Sequence, residues 1–206
     1  MRSLFNLSLL TSVAALMLAS VAKATVIEPI VFLLLIMLAF FARKDENSLL
    51  LTIIFAAVFA LEVSVAFGLK YIVFPAVESF YYENIYAFSI QLLLSLLLLI
   101  LLRHRMTIAV ILTRGKSASV FEKNYAEGPL YFLVITSVLI DFLALMENFL
   151  RNLEHLGVDE EKAKVFWEIT FFYDYFEYLK TITMLLCVLL LYIGLIVRTK
   201  REPIKN

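Results

Sequence analysis

Cysteine and glycine are scarce in this chain, and each scarcity argues against a class of functional site. The single cysteine, Cys187, cannot form an intramolecular disulfide and offers no second thiolate for a zinc site. The five glycines are too few for Gly-rich phosphate loops or selectivity filters, which depend on the backbone freedom of glycine. Redox, zinc-thiolate and phosphate-cradling chemistry are therefore not expected.

The sequence also lacks the motifs of common catalytic and nucleotide-binding sites. It contains no HExxH, GxSxG, P-loop or GxGxxG pattern. It contains no polybasic segment of the kind that binds nucleic acid. We therefore expect a protein that is not an enzyme, holds no cofactor or metal, and has no nucleic-acid partner.

Apolar residues are abundant. They make up 63% of the chain, and the mean hydropathy is +0.92, both typical of proteins embedded in lipid. A crossing needs about 20 apolar residues, and no connecting segment is long enough for a soluble domain. We predict an all-α, polytopic transmembrane helical bundle, with residues 1–206 in a single membrane domain. The six predicted spans are residues 3–22, 26–42, 48–69, 85–102, 129–150 and 179–197.

Charged residues are sorted between the loops that join these spans. The loops at Arg43, at 103–128 and at 198–205 are separated by even numbers of crossings, and with Arg2 they contain twelve Lys or Arg against five Asp or Glu. The remaining residues contain six Lys or Arg against thirteen Asp or Glu. Because cytoplasmic loops are rich in Lys and Arg, we predict a bacterial inner-membrane protein with both termini in the cytoplasm.

The first 24 residues allow two interpretations. Arg2, the following apolar stretch and the small residues Ala22 and Ala24 fit a secretory signal peptide. The apolar stretch is longer than that of a usual signal peptide, which favours a retained helix. Cleavage would leave five spans and an external N-terminus, whereas retention leaves six. Both alternatives give the same topology after residue 24.

Polar residues inside the fifth predicted span are candidates for function, because a charged side chain at the centre of a span costs about 2.5–3.5 kcal/mol. Asp141 lies midway along this span, and Asn148 lies seven residues later on nearly the same face. Asp141 is either a proton or cation site, or a hydrogen-bonded carboxyl that locks helices together. No Lys or Arg is predicted at a comparable depth in any span, so an intramembrane salt bridge is not expected.

Two further carboxylates lie closer to the outer boundary. Glu147 is followed by Arg151 four residues later, which predicts a local ion pair along the helix. Glu62 lies in the outer half of the third span and could pair with Lys70 or face Asp141.

The third span carries small residues at every fourth position, which places them in one stripe along the helix. Such stripes allow close contact between helix backbones in lipid. We expect a helix–helix interface, although Ala and Ser are common in any spanning helix. The stripe consists of Ala56, Ala60, Ser64 and Gly68.

From Asp159 the chain contains no Gly or Pro until Gly194, which predicts one helix over residues 159–197, on the order of 58 Å long. Its first third is expected to project outside the membrane, since the apolar core is about 30 Å thick. The projecting part is aromatic and acidic, and it forms either a docking surface or an aromatic belt at the headgroup level. This outer aromatic–acidic face comprises Phe166, Trp167, Glu168, Phe172, Tyr173, Asp174, Tyr175 and Glu177.

These features favour a non-enzymatic membrane subunit or accessory protein that packs in the lipid bilayer with other membrane proteins or with itself. The small-residue stripe and the outer aromatic–acidic face are its expected contact surfaces. The alternative is a small cation- or proton-coupled transporter or channel that uses Asp141, Glu62 and Glu147 as its intramembrane carboxylates.

The charge sorting makes a direct prediction about topology. A reporter that is active only outside the cytoplasm should work when fused after residue 26, 80 or 158, and should fail after residue 45 or 115. Fusions expressed at matched levels provide the measurement. Strong external activity from the fusion at residue 115 would overturn the predicted orientation, because that loop holds the largest group of basic residues.

Overall fold

The structure is a computed structural model that describes residues 6, 9–14, 24–114 and 124–200. This part of the chain is helical and contains no strand, which confirms the predicted all-α class. The helices, numbered in chain order, are α1 (Ala24–Phe41), α2 (Glu46–Gly68), α3 (Phe80–Arg103), α4 (Arg105–Thr113), α5 (Glu127–Arg151), α6 (Glu160–Ala163) and α7 (Phe171–Lys200).

The long helices form a closed up-and-down bundle. Helix α2 packs against α1 and α3, α5 packs against α3 and α7, and α7 returns to pack against α1. The basic end of the bundle contains the α1–α2 turn, α4, the start of α5 and the end of α7. The opposite, acidic end contains residues 69–80 and 152–170. Apolar side chains fill the centre, among them Leu34, Leu35, Leu38, Phe55, Leu130, Leu185 and Val188.

Within the described residues, four helical segments are long and apolar enough to cross a membrane. They are Glu46–Ala76, Phe80–Arg103, Glu127–Arg151 and Glu160–Lys200. Four of the six predicted spans thus correspond to helical segments that are long and apolar enough to cross a membrane, and six spans are not confirmed. The predicted span at 26–42 corresponds to α1, a helix of 18 residues that is not among the four. The predicted span at 3–22, like the candidate signal peptide at 1–24, lies mostly outside the described residues.

The prediction of a single helix over residues 159–197 is wrong. Helix α6 ends at Ala163, a 3₁₀ turn covers Lys164–Phe166, and α7 begins only at Phe171. The absence of Gly and Pro did not keep this helix continuous. Because α7 starts at Phe171, its tenth residue lies about 14 Å along the helix axis from that start, inside the bundle.

Glu147 of α5 explains why a new helix begins at this point. Its buried carboxylate accepts hydrogen bonds from the backbone N–H groups of Phe172 and Tyr173, both at 2.8 Å. The first N–H groups of a helix have no partner within the helix and carry the positive end of its dipole. A carboxylate in this position therefore stabilises the start of α7 and fixes it against α5.

A buried arginine organises the basic end. Arg105 of α4 is 3% exposed, forms an ion pair with Glu127 of α5, and donates a 2.6 Å hydrogen bond to Oδ1 of Asn47 in α2. Asn124 donates to the same Asn47 oxygen at 3.3 Å. Burial lowers the pKa of Arg105, and the neighbouring Glu127 carboxylate opposes that shift. The apolar segment 106–112 lies within α4.

A second ion pair ties the end of α7 to the α1–α2 turn. Nε of Arg198 lies 2.7 Å from Oδ2 of Asp45, which also accepts a 2.5 Å hydrogen bond from Ser48. Asp45 precedes α2, so its negative charge also lies at the positive end of that helix dipole. Together with Arg105, this pair joins α2, α4, α5 and α7 at one end of the bundle.

The close approach of α7 to the start of α5 predicts the effect of one substitution. A Cβ atom at Gly194 would lie 2.8 Å from Cβ of Ala126 and 3.1 Å from Oδ1 of Asn124. Gly194→Ala should therefore lower the melting temperature in detergent, because overpacking costs about 1–3 kcal/mol. The matched control is Gly68→Ala, where a Cβ meets nothing within 4 Å and alanine favours the helix. Equal melting temperatures for the two variants would contradict this packing.

Candidate functional site

A lysine and an aspartate are paired inside the bundle. Nζ of Lys180 in α7 lies 2.9 Å from Oδ2 of Asp141 in α5. The same nitrogen donates hydrogen bonds to Oγ of Ser95 in α3 at 2.9 Å and to Oγ of Ser137 in α5 at 2.8 Å. Ser95 in turn donates to Oδ2 of Asp141 at 2.5 Å. Three helices therefore meet at one polar group, which we call the Asp141–Lys180 cluster.

The helical register and the chemistry of the ammonium group account for this cluster. Ser137 and Asp141 are four residues apart in α5, so they project from the same face. A protonated lysine has three N–H donors, and three acceptors surround Lys180. The Asp141 side chain is fully buried, and that of Lys180 is 17% exposed. Lys180 and Oδ2 of Asp141 are therefore satisfied within the protein, whereas Oδ1 of Asp141 is buried and has no hydrogen-bond partner among the described residues.

The expectation that Asp141 has no basic partner is wrong. It placed Lys180 at the outer boundary of the last span, because the preceding aromatic residues were assigned to a projecting segment. In the structure α7 begins at Phe171 and the residues after it pack along α5, so Lys180 reaches the depth of Asp141. The alternative in which Asp141 locks helices together describes this geometry better than a free cation site does.

A cavity lies beside the cluster, between α1, α2, α3, α5 and α7. Its volume is about 150 Å³, and Ser95, Ser137 and Lys180 contribute to its wall. Three carboxylates also line it: Glu62 of α2, half-buried, and the exposed Glu28 and Glu177 near the acidic end. The cavity therefore extends from the acidic end of the bundle to the Asp141–Lys180 cluster.

Glu62 faces this cavity. It interacts electrostatically with Lys180, Asp141 and Glu28. Within residues 24–114 and 124–200, however, it takes part in no ion pair, and Lys70 lies over the ring of Tyr71 instead. The predicted pairing with Lys70 is thus not observed, whereas Glu62 does lie in the neighbourhood of Asp141.

The other two polar candidates of α5 serve as contacts between helices. Glu147 caps α7, and no ion pair to Arg151 is found in the described part of the chain; the Arg151 guanidinium lies 4.7 Å from the ring centroid of Tyr173. The predicted Glu147–Arg151 pair is therefore wrong, since the free N–H groups of α7 hold the carboxylate. Asn148 is buried and donates a 3.4 Å hydrogen bond to the carbonyl oxygen of Tyr81 in α3.

The stripe of small residues on α2 lies partly at the edge of the bundle. Ala56 packs against the apolar core. Ala60 and Ser64 border a surface groove shared with Glu28 and Phe32 of α1, and Ser64 donates to the carbonyl oxygen of Ala60. Gly68 has open space where a Cβ would be. The structure thus places the middle of the stripe beside α1, without a close approach at Gly68.

The residues of the outer aromatic–acidic face lie around the break before α7. Trp167, Tyr173 and Tyr175 are 41%, 44% and 52% exposed, and Glu168, Asp174 and Glu177 are exposed as well. Phe172 packs with the buried Phe88, whereas Phe166 is half-buried. Most of this surface therefore points away from the bundle.

Sequence reasoning missed Lys180, Ser95 and Ser137 as site residues, and it missed the cluster around Arg105 at the basic end. The sequence did contain a signal for the two serines. Ser137 precedes Asp141 by four residues, and Ser95 interrupts a run of leucines. Recognising Lys180 as their partner required knowing where α7 begins, which depends on the distant Glu147.

Among the described residues, no group of three or more His, Cys, Asp or Glu side chains is arranged to hold a metal ion. Comparisons with protein-family models, curated proteins and solved structures find no match to this chain.

The Asp141–Lys180 cluster predicts a strong and reversible effect of mutation. Lys180→Met should destabilise the protein by about 3–5 kcal/mol, because it leaves a buried carboxylate without its partner. Asp141→Leu in the same chain should recover much of that loss, since removing both charges leaves an apolar contact. Unfolding in detergent, followed by circular dichroism, measures both changes. Additive losses in the double variant would show that the two side chains do not interact.

Proposed function

We propose that this chain is an integral protein of a bacterial inner membrane, and that it acts without catalysis by packing with itself or with other membrane proteins. Four span-length helices are compatible with membrane insertion. The sorted charges support an orientation with the basic end in the cytoplasm. We count α1 as a fifth crossing, because it packs along α2 and α7.

The observation that carries this proposal is the exposed outer aromatic–acidic face. Aromatic residues with polar tips are enriched where proteins dock, because they combine apolar area with hydrogen-bonding groups. Trp167, which precedes α7, and Tyr175, in the second turn of α7, keep much of their surface accessible although α7 packs against the bundle. Exposed aromatic side chains also lie on α3 at the same end of the bundle, at Phe80, Tyr82 and Tyr86, as a lipid belt would place them. The exposed carboxylates beside Trp167 and Tyr175 favour docking at this segment, because a lipid belt does not need them.

The Asp141–Lys180 cluster supports a structural rather than a coupling role for the buried charges. All three N–H donors of Lys180 have acceptors inside the protein. A coupling carboxylate must exchange a proton or a cation with water, and Asp141 is fully buried. The same geometry that joins three helices thus leaves Asp141 without direct access to solvent.

The test is assembly of the intact protein with matched surface variants. We expect the tagged chain, extracted in mild detergent, to form a defined homo-oligomer or complex by native mass spectrometry. Trp167→Ala with Tyr175→Ala should dissociate that assembly without lowering the melting temperature of the monomer.

The control pair is Phe132→Ala with Phe142→Ala, which removes exposed aromatic rings from α5. Equal dissociation by both pairs would point to general lipid or detergent effects. A strictly monomeric wild type, or a complex that resists the first pair, would contradict docking through this face.

The cavity favours a second candidate, a small cation- or proton-coupled transporter in which Glu62 replaces Asp141 as the exchanging group. Glu62 faces a cavity reached from the exposed Glu28 and Glu177. In that case Glu62→Gln should abolish a cation- or proton-dependent flux in reconstituted vesicles while the fold remains intact. Flux that survives Glu62→Gln, or that is absent from the wild type, would leave the packing role as the better account.

A further inference from the structure

We propose that the cavity beside the Asp141–Lys180 cluster binds a small organic ammonium ion, held by Glu62 and Gln91. This proposal goes beyond the packing role, which needs no ligand.

The charge of the cavity favours a cation. Lys180, the only basic residue among the described residues of the wall, already has three acceptors and is paired with Asp141. That pairing leaves Glu62, Glu28 and Glu177 as carboxylates without a balancing cation in the cavity wall. Glu28 interacts electrostatically with Glu177, and Glu62 interacts with Glu28. The entrance of the cavity, where Glu28 and Glu177 are exposed, therefore attracts positively charged ligands. Glu62 is the most buried of the three carboxylates that line the cavity.

The apolar and aromatic residues of the cavity wall favour an organic cation over a metal ion. Phe55, Phe59 and Phe176 line the cavity, and aromatic faces attract ammonium groups through their quadrupole. Calcium and magnesium instead require about six or more oxygen ligands in a compact shell. No metal-holding group of three acidic, histidine or cysteine side chains occurs in the described segments. An aliphatic cation matches both the charge and the apolar walls.

Gln91 adds an unpartnered acceptor in the same wall. Its side-chain oxygen Oε1 is buried and has no hydrogen-bond partner among the described residues, and its side chain lines the cavity. A buried amide oxygen without a donor is unfavourable, and a ligand N–H would satisfy it. This preference selects a primary ammonium over a quaternary one, since a quaternary ammonium has no N–H to donate.

The volume of the cavity limits the size of the ligand's alkyl chain. A volume of about 150 Å³ corresponds to roughly five water molecules. Sites for drug-sized ligands are larger, about 300–1,000 Å³. The ligand class is therefore a protonated alkylamine with a chain of a few carbon atoms. n-Butylammonium is a suitable probe.

The experiment measures binding of n-butylammonium to the full-length protein in nanodiscs by calorimetry at pH 7. We expect saturable binding that falls at least tenfold in Glu62→Gln and severalfold in Gln91→Leu. Tetramethylammonium should bind more weakly than n-butylammonium, because it has no N–H for Gln91. n-Butanol, which has a similar shape but no charge, should bind more weakly still.

The matched control is Glu78→Gln, which removes an exposed carboxylate at the acidic end that does not line the cavity. Equal losses in Glu62→Gln and Glu78→Gln would mean general attraction by surface charge and would overturn the site. Absence of saturable binding in the wild type, or equal binding of n-butanol, would also overturn it. None of these binding results concerns assembly through the outer aromatic–acidic face. The ligand proposal and the packing proposal can therefore fail separately.

Discussion

A charge buried among apolar helices must find its partner inside the protein, and this constraint governs how the bundle is put together. Asp141 cannot reach water, so its carboxylate is matched by Lys180 from another helix and by Ser95 from a third. Removing either charge alone would leave the other uncompensated. The cluster therefore fixes the relative positions of α3, α5 and α7 more specifically than apolar contacts do, because apolar contacts tolerate sliding between helices.

The same constraint operates at both ends of the bundle. At the acidic end, the carboxylate of Glu147 satisfies the first N–H groups of α7 and thereby sets where that helix begins. At the basic end, Arg105 is satisfied by Glu127 and Asn47, and Arg198 by Asp45. These contacts join segments far apart in the chain. Glu62 is the exception, a carboxylate that faces a cavity without an ion pair in the described residues, and it is where we place a ligand.

The features that sequence predicted are those that depend on local composition. Long apolar runs predict helices. The helical class is confirmed, and four of the predicted spans correspond to helical segments long and apolar enough to cross a membrane. Asp141 stood out because a carboxyl between Ile140 and Phe142 is costly in lipid. The depth of Lys180 could not be predicted, because it depends on the start of α7, and that start is set by a contact with Glu147 some 25 residues away. Arg105 was likewise assigned to a basic loop, since its burial depends on Asn47 and Glu127 from other helices.

The most direct test of this account is whether Asp141 is ionised in the folded protein. Infrared difference spectroscopy between the wild type and Asp141→Asn isolates the signal of this one carboxyl group. The account predicts the band of an ionised carboxylate at pH 7, and its conversion to the band of a protonated carboxyl in Lys180→Met. A protonated carboxyl already present in the wild type would contradict the Asp141–Lys180 ion pair on which the arrangement of α5 and α7 depends.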